Sequence, residues 1–572
     1  MTDRRSWLLF GGVILLSAGV VALAFNPAPH TGGDNAGYVT LAYSLLADGT
    51  YTELFDPAGN PHTKYPPVFP ALLAGLMLLG VRSWAGLKLV AAASTVVAVA
   101  ATWLWARRRL GPLGAAAVAA ALAVSAGVVY YSHWILSDPT FLALTMVGLW
   151  ALDTALDPGP DDGRTGEPGA AAASGAATAW LVAGVAFTGL AYFTRSAGLP
   201  LLLALLAVLA LRKRWRSLAA SAAVLGLPAL MWWLRARSVT AAEAQYGSEF
   251  WMVDPYQPAL GTVGVAGLLG RVITNAVGYV GTHIPAGIVG SQGPLAATLG
   301  IALVALGVAG WVVTVRRRQG PAELFFPLYA GVILLWPEVW SGDRFALPLL
   351  PLLFVYGALA LRDGARRIGG AAVLPAAAVA FLAVFVPALS TLGGAVTGAR
   401  TCAELVAVEG PFACYGPRWM RFAEGAAWAG NNLPDGSAVL SRKPRMFYVL
   451  SGVPSRTFPF VGDPAAQLAE ADAVGARYVL MDQVDNLAQA YVGSALQAAP
   501  ASFCSVRGFG TGGGGIGTHL LGVLPPAERA VGGVADDGSI RVVGCSPAYL
   551  RPGATDEAYS LSSTIPLLES LP

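Results

Sequence analysis

The chain has 572 residues, 55% hydrophobic and only 12% charged, with a net charge of +3. A soluble chain carries roughly 25% charged residues, so a soluble multidomain enzyme is excluded. So are disorder and a collagen-like repeat, because apolar content is high and the 69 glycines and 39 prolines follow no fixed period. A net charge of +3 leaves no electrostatic footprint for nucleic acid. What carries information is where the 36 basic and 33 acidic residues fall.

A bilayer core of about 30 Å takes roughly 20 apolar helical residues to cross, because lipid offers no partner to an unpaired backbone group. Eleven segments read as spans, near 7–25, 85–105, 113–131, 139–156, 177–193, 197–211, 217–234, 295–315, 322–340, 345–361 and 371–392. Cytoplasmic loops collect Lys and Arg. With the N-terminus inside, the inner loops hold Arg4, Arg5, Arg107 to Arg109, Arg164, the Arg212 to Arg216 cluster, Arg316 to Arg318, Arg362, Arg366 and Arg367. The parity requires Pro66 to Gly80 to lie at the outer interface or to re-enter, which leaves the C-terminus outside. The first span is longer than the 7 to 15 apolar residues usual in a signal peptide, so it reads as an anchor. The expected protein is a multi-pass protein of the inner cell membrane.

From about 393 the composition becomes that of an ordinary globular domain. Apolar runs at Ala438 to Leu440, Tyr478 to Met481, Phe503 to Val506, His519 to Val523 and Ile540 to Val543 predict strands, and 464–474 and 486–496 predict helices. The expected division is a membrane domain over 1–392, an extracytoplasmic α/β domain over 393–547 and a poorly ordered tail over 548–572. Gly512 to Gly515 reads as a flexible loop, since no Lys-Ser or Lys-Thr pair with a helix follows it. Cys402, Cys414, Cys504 and Cys545 all fall in this domain, which suits an oxidising compartment. Of three possible pairings, 402 with 414 and 504 with 545 is preferred; four buried thiols are the alternative.

Under this topology the outer face gathers unusual polar residues, including the five histidines His30, His62, His133, His283 and His519. The first loop contains Gly33-Asp34-Asn35-Ala36-Gly37-Tyr38, an amphipathic stretch over Val39 to Leu46, and His62-Thr63-Lys64-Tyr65-Pro66-Pro67. A second short loop, Ser132 to Pro139, holds His133 and Asp138. Asp34 reads either as a general base at the mouth of a membrane cavity or as the cap of the helix that follows. Lys64 is one of four lysines in the chain. Its compact ammonium suits a phosphate, and its long stem equally suits snorkelling at the interface. Arg195 and Arg344 sit at outer span boundaries, where a charge is costly and usually faces a cavity or a partner. Tyr38, Tyr65, His62 and His133 are candidate substrate contacts. The loop over 238–294 brings Tyr246, Phe250, Trp251 and Tyr256 together with Glu243, Glu249 and Asp254; its aromatics either stack on a sugar or form the interfacial belt.

Taken in order, these motifs resemble the GT-C membrane glycosyltransferases, in the protein mannosyltransferase and aminoarabinose lipid A transferase branch. The likeness lies in Asp34 to Tyr38, Lys64-Tyr65-Pro66-Pro67, Ser137-Asp138-Pro139, Thr194-Arg195, and Arg344-Phe345 ahead of Leu347-Pro348-Leu349-Leu350-Pro351, and it covers residues 1–390. The resemblance implies an inverting enzyme that moves a sugar from a polyprenyl-phosphate carrier to a lipid, glycan or protein acceptor outside the membrane. It implies Asp34 as the base, Asp138 as a second acidic residue orienting the acceptor, and Lys64, Arg195 and Arg344 as ligands of the donor phosphate. Two positions depart from the family pattern: Asn35 stands where many relatives carry Glu, and Thr63 where the aminoarabinose branch has an acidic residue linked to a metal. No required metal or other cofactor is therefore expected. The external domain is expected to bind acceptor or cover the cavity, with the Ser441-Arg442-Lys443-Pro444-Arg445 cluster as an alternative solvated face. A transporter or flippase of a lipid-linked saccharide is the second reading, weakened by the absence of an internal repeat.

Overall fold

The computed structural model describes residues 3–156, 170–239, 246–257, 260–290, 293–369, 385–510, 517–529, 542–555 and 562–571. The chain divides into two compact units that are not contiguous in sequence. One comprises Met1–Phe25, Thr63–Phe69 and Lys88–Ala399, the other Asn26–His62, Pro70–Leu87 and Arg400–Pro572.

The first unit is a helical bundle. Among the described residues, eight helices are long and apolar enough to cross a membrane: Arg4–Leu23, Trp84–Val124, Ser137–Leu156, Gly175–Thr194, Trp215–Ser238, Val265–Val289, Pro294–Arg317 and Asp343–Ile368. Large apolar side chains such as Leu227, Met231 and Leu234 stand exposed on them, which an aqueous solvent would penalise and lipid does not. The chain is a multi-pass membrane protein. The 41-residue helix Trp84–Val124 accounts for two expected spans, because Gly111 adopts a left-handed φ of 75° and Pro112 follows, breaking the hydrogen-bond ladder between them. Ser196–Leu211 and Pro321–Leu335 are shorter apolar helices at two further expected spans. Helix Val68–Leu78 is about 16 Å long, too short to cross a bilayer. The expected span over 371–392 lies mostly outside the described residues.

Residues 246–289 are not the plain loop the sequence led us to expect. A short helix, Tyr246–Trp251, is tied to the longer helical stretch Val265–Val289 by Arg271, whose guanidinium donates to the Phe250 and Met252 carbonyls at 2.6 and 2.7 Å. Asn275 donates to the carbonyls of Leu334 and Trp336 at 2.9 and 2.8 Å. Arg271 and Asn275, one turn apart, interrupt the apolar run, so the stretch is the least apolar of the eight candidate spans. Close helix approach elsewhere depends on small residues: Gly307 faces Leu353 and Gly310 faces the Tyr356 carbonyl, leaving no room for a Cβ.

The second unit is built on a five-stranded sheet of order β2-β1-β3-β5-β4. Its strands are β1 (Val439–Ser441), β2 (Ser455–Arg456), β3 (Tyr478–Met481), β4 (Phe503–Phe509) and β5 (Thr518–Val523). β1 pairs in parallel with both β2 and β3, whereas β5 runs antiparallel to β3 and β4. Leu440, Val479, Phe503 and Leu521 form its core with Phe458 and Val492. Residues 540 and 541 of the expected last strand, like Gly512 to Gly515, lie outside the described residues, and the Val543 carbonyl accepts from Ser505 N–H at 2.7 Å. Disulfides join Cys402 to Cys414 and Cys504 to Cys545.

Two boundaries differ from expectation. Helix Val386–Glu409 runs through residue 392, and the first-loop residues 26–62 fold with the C-terminal sheet. The cause is a set of specific contacts: Ser455 N–H donates to the Phe55 carbonyl at 2.6 Å, and Arg445 meets Glu53 at 3.5 Å. The tail, expected to be poorly ordered, contains buried Ile565 and Leu568, and Ile565 N–H donates to the Arg82 carbonyl at 2.9 Å.

Candidate active site

In the membrane unit, helix Ser137–Leu156 carries a carboxylate near each end, Asp138 and Asp153, about 22 Å apart along its axis. Asp138 is the meeting point of two residues distant in sequence. Its Oδ2 lies 2.7 Å from Arg195 Nη1, and its Oδ1 lies 3.6 Å from Arg344 Nε. Arg195 Nη1 also donates to Ser137 Oγ at 3.2 Å. Both guanidiniums sit beside the Phe345 ring, 5.3 and 5.0 Å from its centre, a contact that orients their planes. Asp343, one residue before Arg344, accepts from Tyr131 Oη at 2.9 Å, and Tyr329 Oη donates to the Phe345 carbonyl at 3.0 Å. Asp138 is buried, while the side chains of Arg195 and Arg344 keep 14% and 26% exposure. Two cations thus meet at one carboxylate and keep partly open guanidiniums, groups whose chemistry suits an anion.

Lys64 is held elsewhere in the same unit. Its Nζ donates to Glu249 Oε1 at 2.7 Å and lies 5.7 Å from the Tyr246 ring centre. Tyr65, next to it, is buried. His133 is buried as well, pushed down to about 3 by burial and by the nearby Lys88 ammonium, so its ring is neutral.

Asp34, Tyr38 and His62 belong to the second unit. Helix Gly33–Ala47 has Gly32 at its capping position, so Asp34 is a first-turn residue and not the cap. Tyr38 is buried on the same helix. His62 Nδ1 is 2.8 Å from Glu53 Oε1, and Glu53 also meets Arg445. The 441–445 cluster is not a solvated face. Arg442 Nε lies 2.8 Å from Asp485 Oδ2. Burial, and next the Arg442 charge, lower Lys443 below the usual lysine range; Asp485, Asp482 and Asp34 act in the opposite direction. Asp482 is fully buried and pushed up to about 7 by that burial. Among the described residues no group of three or more His, Cys, Asp or Glu side chains is arranged to hold a metal ion.

Of the residues singled out in the sequence, Asp138, Arg195 and Arg344 come together directly. Lys64 has Glu249 as its partner, and Asp34 is placed among the charges of the C-terminal unit. Sequence reasoning passed over Lys88, Asp343, Glu53 and Asp482, and also a second ionic cluster built from Arg109, Asp153, Arg318 and Glu323. The signal for Lys88 and Asp153 was present, since each is an ionisable residue inside an apolar span.

No family model matches the sequence, and no curated protein matches it. Solved structures do. The chain is similar to the oligosaccharyltransferase of Archaeoglobus fulgidus in its apo form, at 15% identity and a TM-score of 0.54, covering 88% of this chain and 74% of that one. The same archaeal enzyme, AglB, in complex with an inhibitory peptide and a dolichol-phosphate matches at 16% identity and a TM-score of 0.53, covering 90% and 74%. ArnT from Cupriavidus metallidurans bound to undecaprenyl phosphate matches at 17% identity and a TM-score of 0.50, covering 91% of this chain and 98% of that one. The chain shares its fold with these solved membrane-protein structures.

Proposed function

We propose that the chain is a membrane glycosyltransferase that moves a sugar from a polyprenyl-phosphate-linked donor to a hydroxyl of a lipid, glycan or protein acceptor. The reaction takes place at the outer face of the cell membrane, with the N-terminus cytoplasmic and the C-terminal unit outside. The observation that carries this reading is the pair of partly open guanidiniums, Arg195 and Arg344, converging on Asp138 at the end of the bundle away from the arginine-rich loops. The fold adds support, because two proteins that share it bind dolichol-phosphate and undecaprenyl phosphate.

In this mechanism the Asp34 carboxylate takes the proton of the acceptor hydroxyl. The acceptor oxygen attacks the anomeric carbon from the face opposite the phosphate, the bond between that carbon and the phosphate oxygen breaks, and polyprenyl phosphate leaves with the electron pair. The configuration inverts. Arg195, Arg344 and Lys64 neutralise the phosphate as its charge grows, so the protein supplies mainly positioning and electrostatic stabilisation. Asp138 keeps the two arginines in register, and Glu249 holds Lys64 until the donor arrives.

Mass spectrometry of membrane lipids and envelope glycans, with and without the gene, tests this. The expected result is the loss of one sugar from an envelope component and the accumulation of the same sugar on a polyprenyl phosphate. Identical profiles would contradict the proposal. A lipid-linked sugar that accumulates on the cytoplasmic leaflet alone would favour a flippase.

A further inference from the structure

Lys64 and Arg344 stand far apart in sequence, and each depends on a short helix. Lys64 Nζ donates to Glu249 Oε1 at 2.7 Å, and Glu249 lies in the six-residue helix Tyr246–Trp251. Arg344 lies in the four-residue helix Asp343–Ala346. Helices of fewer than about 12 residues do not hold themselves, so contacts elsewhere in the fold place them. One helix supplies contacts to both. Val265–Gly278 carries Arg271 and Asn275 one turn apart, and both side chains are buried.

Arg271 serves the Lys64 side. Its Nη1 and Nη2 donate to the Phe250 and Met252 carbonyls at 2.6 and 2.7 Å, so the planar fork grips the chain where helix Tyr246–Trp251 ends and its own carbonyls lack helical partners. Arg271 Nη1 also reaches the Leu335 carbonyl at 3.4 Å, a long contact that adds little. Asn275 serves the Arg344 side. Its Oδ1 accepts from Ser341 Oγ at 2.9 Å, three residues before Arg344, while Nδ2 donates to the Leu334 and Trp336 carbonyls at 2.9 and 2.8 Å. The amide thereby uses both N–H groups and its oxygen. Beyond Ser341 the chain is anchored twice more, by Asp343 to Tyr131 and by the Phe345 carbonyl to Tyr329, with Arg344 between these two points. A buried guanidinium and a buried amide are costly unless paired. Their partners here lie on the stretches that lead to the two cations.

We propose that Arg271 and Asn275 are positioning residues for donor binding, Arg271 acting through Glu249 on Lys64 and Asn275 acting through Ser341 on Arg344. The helix that carries both then fixes the two cations relative to each other, so that they can meet a single phosphate. This rests on Lys64 and Arg344 as ligands of the donor phosphate.

The test measures the Kd of undecaprenyl phosphate for the full-length protein in lipid nanodiscs, by native mass spectrometry, as a set of double-mutant cycles. Lys64→Ala and Arg344→Ala are each expected to raise Kd roughly tenfold, for one charge-assisted hydrogen bond lost. Arg271→Met and Asn275→Leu are each expected to raise it about fivefold. The Asn275→Leu loss should shrink to less than about twofold when Arg344 is already Ala, and persist when Lys64 is Ala. The Arg271→Met loss should shrink in the same way in Lys64→Ala and persist in Arg344→Ala. A purely structural role predicts equal losses in every background; that result, or no loss in the parent, overturns the proposal. If either variant is not recovered folded, Ser341→Ala and Arg271→Lys take their places, with losses of about threefold judged by the same crossed pattern. Unchanged binding in both Lys64→Ala and Arg344→Ala would sink the phosphate assignment and the proposal with it. Equal losses in every background, while those two variants do lose binding, sink the proposal alone.

Discussion

The membrane unit contains two clusters of carboxylates and guanidiniums, one at each end of helix Ser137–Leu156, and they are built for opposite purposes. At one end Asp153 lies between Arg109 at 2.5 Å and Arg318 at 2.8 Å, and Glu323 accepts from Arg109 at 3.2 Å. Trp105 Nε1 and Tyr356 Oη donate to those carboxylates at 2.6 and 3.1 Å, and both carboxylates have no exposed surface. Two anions meet two cations, and the contacts join residues far apart in sequence. At the other end one carboxylate, Asp138, is shared by two arginines that keep part of their surface open. The difference lies in Arg109, which keeps only 6% exposure where Arg195, Arg318 and Arg344 keep 14%, 25% and 26%. The first cluster is a clasp between helices, whereas at the second both guanidiniums keep surface that an anion could meet.

The comparison breaks most sharply at Asp153. Asp153→Ala strands the buried Arg109 guanidinium and takes a partner from the partly exposed Arg318, and removing one partner of a buried pair costs about 3–5 kcal/mol. The expected outcome is a large fall in Tm in nanodiscs, or loss of folded protein from the membrane. A Tm within a degree of the parent would show that the first cluster is not a clasp. Asp138→Asn is expected to act on catalysis instead: the Tm changes little, while kcat/KM falls about a hundredfold because the two arginines lose their shared anchor. A stability loss as large as that of Asp153→Ala would erase the distinction between the ends. Lys64→Ala gives the smallest effect, a donor KM raised roughly tenfold through the loss of one charge-assisted hydrogen bond to phosphate. An unchanged KM would confine Lys64 to its pairing with Glu249.

Much of this architecture is legible in the sequence, for a physical reason. Apolar length reports bilayer crossing directly, so most spans are readable, and the break at Gly111-Pro112 is written in residue types with strong backbone preferences. The helix over 265–289 is less so, because Arg271, Asn275 and His283 interrupt its apolar run and Asn275 finds its partners more than 50 positions away, at Leu334 and Trp336. For the site, the scarcity of charge was the useful signal. Asp138, Arg195 and Arg344 stood out because an ion at a span boundary must have a partner. Which partner it has is a tertiary fact. Glu249 was visible as one of several loop carboxylates, yet nothing local ties it to Lys64. Likewise Lys443 reads as part of a basic surface run until the sheet places it beside Asp482 and the first-loop helix.

The central claim is that Asp34 is the base that drives sugar transfer. The direct measurement is single-turnover transfer by purified Asp34→Asn in nanodiscs, using the lipid-linked sugar that accumulates without the gene, alongside donor binding by the same sample. The account predicts that transfer falls at least about a hundredfold, the lower range for loss of a general base, while the donor binds with unchanged affinity. Transfer at the parental rate with intact donor binding would contradict it.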